Sequence, residues 1–111
     1  MNIANIHEAK DRLFQVLQTT KLSQTAVMNL QPGGLSSEEM NVHKKSDQVV
    51  LVVTGELLAE VADEKKTLGP GDICIVPAGT PHRFVNTGKE TSLSFNVYTP
   101  PEYPADQTYD D

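Results

Sequence analysis

The sequence predicts an all-β protein, an antiparallel sandwich or barrel led by one short helix. Three observations carry that prediction. Residues 6–17 place Ile6, Ala9, Leu13, Val16 and Leu17 at helical spacing between polar residues. After Thr20 the chain breaks into about eight short strand-like runs. Turn signals divide those runs at regular intervals, the layout of a small sandwich or barrel.

The expected helix starts with a capping pair, Asn5 and Glu8. His7, in its first turn, reads as a solvated surface histidine. The expected strands are 23–31, 37–43, 48–54, 56–61, 65–68, 72–76, 82–87 and 91–98. Pro32-Gly33-Gly34, Gly55, Asp63, Gly69-Pro70-Gly71, Ala78-Gly79 and Gly88 punctuate them. Within 48–54 the stretch VVLVV is apolar throughout, so both faces of that strand should be covered, the outer one by the helix or a second subunit. The tail, TPPEYPADQTYDD, holds three prolines and four acids. It is no central strand, but an extended arm across the body or a disordered end. The expected division is a helical segment 1–22 packed on the barrel, the barrel 23–98 and the acidic tail 99–111.

At 111 residues the chain has material for one domain with one core. Hydrophobic residues make up 38% and charged residues 22%, a globular balance. A net charge of −6 with scattered basic residues argues against nucleic-acid binding. No apolar run spans a bilayer, and MNIANIHEAKDRLF has no signal-like apolar core, so no membrane partner and a cytoplasmic location are expected. The lone Cys74 reads as a buried structural thiol.

Strand parity locates the chemistry, because residues i and i+2 share a face. Glu39, Asn41 and His43 fall on one face of 37–43, and His82, Phe84 and Asn86 on one face of 82–87. Gln48 is in phase with Val50 and Val52. If these faces point inward, His43, Gln48 and His82 converge in an apolar interior, the anatomy of a ligand site. The plain alternatives are pocket histidines satisfied by hydrogen bonds and an Asn86 that ties down a strand end. PGG and GPGD lack the setting of a phosphate loop, and neither Ser36 nor Ser37 has a nucleophile elbow around it.

These residues resemble a known family, the cupins. GDICIVPAGTPHRFVN carries every fixed position of that family's second motif: Gly71, Pro77, Gly79, His82 and Asn86. The first motif is partial: His43, Gln48 in the place of its glutamate, and Gly55, with Asn41 where its first histidine belongs. Gly33 and Gly34 stand eight and seven positions before Asn41 instead of six. The resemblance covers about residues 23 to 98, and PGG, DQ and VYTPPEYP look like a subgroup of small single-domain bacterial cupins.

The resemblance implies a jelly-roll β-barrel, commonly a homodimer, with iron, manganese, nickel, zinc or copper inside. Carried over by position, the metal ligands are Asn41, His43, Gln48 and His82. That set holds two imidazoles and two neutral amides, with no carboxylate against a divalent charge. Glu39 has the right parity but lies roughly 7 Å along the strand from Asn41, at ~3.3 Å per residue. Three readings stay open. The barrel binds a divalent transition metal with a small oxygenated metabolite, or binds a small molecule without metal, or is plugged and purely structural. No residue stands out as a general base.

Overall fold

The computed structural model describes residues 1–9 and 12–110. Its strands are β1 (Phe14–Thr19), β2 (Gln24–Leu30), β3 (Asp47–Thr54), β4 (Leu57–Val61), β5 (Glu64–Leu68), β6 (Ile73–Val76), β7 (His82–Val85), β8 (Ser92–Thr99) and β9 (Thr108–Tyr109). One sheet has the order β6-β3-β8-β2-β1-β9 and the other the order β5-β4-β7. Among the described residues every strand pairing is antiparallel. The all-β class is as predicted, but the sheets face each other without closing into a barrel.

The expected N-terminal helix is absent. Its capping pair does form: the Asn5 N–H donates to Glu8 Oε1 at 2.9 Å, and Asn5 Oδ1 accepts the His7 N–H at 2.9 Å. It closes one turn over residues 6–9, and by Phe14 the chain is a strand. Residues 10 and 11 of the expected helix lie outside the described residues. The helical count left out Phe14, the bulkiest apolar side chain of the segment. In a strand Phe14 and Val16 alternate into the core, and β1 hydrogen-bonds to both β2 and β9. Buried Asn29 of β2 fastens the N-terminal turn by donating to the carbonyls of Ala9 (2.9 Å) and Arg12 (3.0 Å).

The expected strand 37–43 is also irregular. Residues 33–43 run beside β7 but meet it only at isolated bridges, Leu35 with Val85 and Asn41 with His82. Between them Ser36 Oγ accepts the Phe84 N–H at 2.8 Å, a side chain standing in for a strand carbonyl. The loop is pinned from outside by Arg83, which donates to the Glu38 carbonyl and to Glu60 Oε2, both at 2.6 Å. Arg83 holds the Glu60 carboxyl below the usual carboxylate range.

The core lies between the sheets, with Val50, Val52, Leu57 and Phe84 fully enclosed. On the outer side of β3, Val53 and Ile6 both pack against a small cluster of Ala9, Val27 and Leu93, so the N-terminal turn does part of the covering expected of a helix. Val49 and Leu51 are half-buried, as is Cys74, whose thiol burial pushes upward. At Gly55, with φ at +80°, a Cβ would stand 2.8 Å from the Ser92 Cα, so only glycine fits the β3–β4 turn. The tail is the extended arm of the two alternatives: residues 108–109 pair with β1. No helix among the described residues is long and apolar enough to cross a membrane.

Asn86 ties the strand end as its motif position suggested. Its amide donates to the carbonyls of Leu30 (2.7 Å) and Glu90 (2.8 Å), and its Oδ1 accepts the Gly88 N–H (2.8 Å). Asn86→Ala strands these buried groups. Urea unfolding should show a loss of roughly 2–3 kcal/mol with an unchanged m-value.

Candidate functional site

A cavity of about 420 Å3 opens between the two sheets, so the core is not plugged at this point. His43, Gln48 and His82 stand in its wall, with Asn41 at its edge. Phe14, Met28, Phe84, Tyr98 and Tyr103 supply apolar and aromatic surface. Each polar residue arrives from a different piece of chain. His82 opens β7, Gln48 lies near the start of β3, and His43 precedes β3. The Gly79 N–H donates to the His43 carbonyl at 2.7 Å and so holds that segment beside the β6–β7 turn.

The hydrogen-bonding directions follow from two backbone carbonyls, which can only accept. Asn96 of β8 turns its Nδ2 to the Ser94 carbonyl at 3.3 Å and to Ser94 Oγ at 3.2 Å. Its Oδ1 therefore faces Gln48, which donates from Nε2 at 3.0 Å. Gln48 Oε1 is left facing His43 Nε2 at 3.1 Å. His82 directs Nδ1 at the Thr80 carbonyl at 3.0 Å. That nitrogen carries the proton, and the neutral ring keeps a lone pair on Nε2. The His43 and His82 rings lie 4.8 Å apart between centroids.

The remaining nitrogen of His43 meets a residue from the tail: Nδ1 faces Glu102 Oε2 at 3.4 Å. All three inward groups thus have an acceptor on their outward side: Glu102 for His43, Asn96 for Gln48 and Thr80 for His82. With its proton on Nδ1, His43 points a lone pair at the lone pairs of Gln48 Oε1. Such a contact needs a cation between the two atoms, either a proton on Nε2 or a metal ion. The donor set fits a first-row metal, because outward acceptors of this kind orient metal-binding imidazoles. Among the described residues no group of three or more His, Cys, Asp or Glu side chains is arranged to hold a metal. The set assembled here has only two imidazoles, and its oxygen donor is an amide.

Asn41 and Glu39 stay outside this arrangement. Both are exposed, and Asn41 Oδ1 accepts the N–H of Val42 at 3.0 Å. The i, i+2 parity fails because residues 37–43 are not a continuous strand. Four contributing residues were missed from the sequence: Asn96, Tyr98, Glu102 and Tyr103. Ser94, Asn96 and Tyr98 alternate along β8, and that period-2 polar row was a usable signal. Glu102 and Tyr103 had only the setting of an acid and an aromatic between prolines.

Burial raises the Tyr103 phenol to about 12 and that of Tyr98 well above the usual value. Both stay O–H donors at neutral pH. Burial lowers the pKa of His82, with the Thr80 carbonyl working in the opposite direction.

The model of the family described as Cupin domain matches residues 26–98. The uncharacterised protein YrkC of Bacillus subtilis is 26% identical over 111 residues, which cover 94% of this chain and 58% of YrkC. Auxin-binding protein ABP19a of Prunus persica is 36% identical over 81 residues, covering 68% of this chain and 38% of that protein. The chain thus spans little more than half of YrkC and less of ABP19a. The crystal structure of BH2720 from Bacillus halodurans superposes with a TM-score of 0.88 at 22% identity, over 97% of this chain and 87% of that one, a likeness of fold.

The lowered pKa of His82 gives stability a definite pH dependence. The unfolded chain takes up this proton first, near 6.5, so the His82 contribution is complete above that pH. It falls away as pH drops from there through the depressed folded value. Melting temperatures of metal-free protein between pH 8 and pH 5 should show this slope, and His82→Gln should flatten it.

Proposed function

Because the chain belongs to the cupin family, we propose that it binds a divalent transition metal through His43 Nε2, Gln48 Oε1 and His82 Nε2, with a small oxygenated metabolite in the cavity beside it. One observation carries this reading: the rings of His43 and His82 and the amide of Gln48 meet at one cavity, each backed by an acceptor on its other side. Iron, manganese, nickel, zinc and copper all suit two imidazoles and an oxygen. A metal held there supplies Lewis-acid polarisation of a ligand oxygen. The chain's own residues do the rest. Phe14 and Phe84 keep water from the apolar side of the ligand, and Tyr98 and Tyr103 offer O–H donors. The auxin-binding name of ABP19a supports a small-molecule role for the family relationship, without naming a ligand here.

The second reading is a metal-free binding module. The 3.1 Å between His43 Nε2 and Gln48 Oε1 is also the length of an ordinary N–H···O bond, so a proton can take the place of the metal. Thermal shifts with each of the five metals separate the two. Metal at a hundredfold excess over Kd should raise stability by about 2.7 kcal/mol, and His82→Ala or Gln48→Ala should abolish the shift. Asn41→Ala should leave it intact. Absence of any shift in the native protein would overturn the metal reading.

A second copy of the chain is the partner this reading includes. Ile73 and Ile75 on edge strand β6 are 66% and 61% exposed, next to half-buried Leu51 and Val49 on the same outer face. A two-fold contact through that face would cover all four. Sedimentation should report a dimer that Ile75→Glu shifts to monomer with its thermal stability kept.

A further inference from the structure

We propose that Glu102 is a positioning residue of this centre: from the C-terminal tail its carboxylate stands 3.4 Å behind Nδ1 of His43 and accepts the Nδ1 N–H once a metal holds Nε2. The inference rests on the metal reading above. It concerns a residue outside both motifs that no sequence pattern singled out.

The tail reaches this position through its own anchor. Gln24 of β2, wholly buried, accepts the N–H groups of Glu102 (3.1 Å) and Tyr103 (3.0 Å) on Oε1. Its Nε2 donates to the Tyr103 carbonyl at 2.8 Å and to Thr19 Oγ1 at 3.0 Å. The backbone beneath Glu102 is thus fixed from the six-stranded sheet, independently of His43. Tyr103 locks the same stretch by packing on Phe14 (4.9 Å) and Tyr98 (5.2 Å). Among the described residues no lysine or arginine lies in ion-pair range of Glu102, and the His43 ring is the one basic side chain within that range.

Chemistry assigns the role. His82 and Gln48 have neutral acceptors behind them, Thr80 and Asn96. His43 alone has a carboxylate. A carboxylate behind an imidazole fixes its tautomer and raises its basicity as a ligand. Here it also brings a negative charge to a donor set that has none, without occupying an inward position.

The test titrates wild type, Glu102→Gln and Glu102→Ala with Co2+ alone, read by visible absorption. The imidazole N–H proton resonances of Zn2+-loaded protein at pH 8 report whether the Nδ1–H of His43 is held. The expected loss of Co2+ affinity is about 10- to 100-fold for alanine and smaller for glutamine, which keeps an acceptor. In the loaded wild type the His43 Nδ1–H should resonate downfield and exchange slowly, and Glu102→Ala should abolish both. A tail that merely packs would leave that resonance unchanged. If wild type binds Co2+ and both variants bind within about threefold of it, the role of Glu102 is overturned while the metal reading stands. A His43 Nδ1–H with the same shift and exchange rate in loaded wild type and Glu102→Ala overturns it equally. If wild type binds no Co2+, both fall together.

Discussion

A row of polar side chains runs through an otherwise apolar core, and the fold is arranged around the need to pair each of them. Buried polar groups without partners cost several kcal/mol in aggregate, enough to unfold a chain of this size. Ser94, Asn96, Gln48, His43 and His82 are all buried. The register of β3 against β8 sets Val50 opposite Asn96 and Gln48 opposite Tyr98, so Gln48 reaches Asn96 on a diagonal. A one-residue slip would turn the whole row to the outer face. The Ser94 carbonyl then propagates a single orientation through two amides to an imidazole. The main chain, through this relay, decides which atoms of the site carry lone pairs.

The open side of the sandwich explains why the cavity exists and why the tail matters. Two unclosed sheets leave a gap at one end of the core, and the end of the chain returns across it. Its aromatic residues pack against β1 and β8, with Phe14 and Tyr109 5.6 Å apart. Its backbone is read by one buried glutamine. The three prolines suit this service, since an extended arm gives up few ladder hydrogen bonds and loses less entropy on docking.

Much of this was legible in the sequence, for reasons that differ from residue to residue. Strands β2 to β8 came from alternation and turn residues, because each is bounded by glycine, proline or aspartate. Gly71, Pro77, Gly79, His82 and Asn86 formed a motif whose conformational and hydrogen-bonding roles the fold uses together. The N-terminal helix failed where two periods competed: Leu13, Val16 and Leu17 satisfy a helix, and Phe14 and Val16 satisfy a strand. A local pattern cannot report that β2 lacks a partner on that side, and this long-range pairing settled it. The exposure of Asn41 at the cavity edge has the same kind of reason. Parity extrapolates only along a continuous ladder, and Ser36 and the Arg83–Glu38 contact break the ladder ahead of it.

Glu102 was invisible to any rule of spacing because its relation to His43 is purely tertiary, carried by Gln24 on a third element. That distance in sequence bears on how a neutral donor set could be workable. A carboxylate placed directly among the inward atoms would occupy a coordinating position and bring its own desolvation cost. Placed behind His43 and still one-quarter exposed, Glu102 keeps part of its hydration while acting on the ring. Gln48 can then be an amide, whose orientation is set by Asn96, and the position of Asn41 can face solvent. In the proposed centre the two departures from the family's first motif and the acid in the tail form one arrangement: charge removed from the inner positions would be supplied from behind the imidazole.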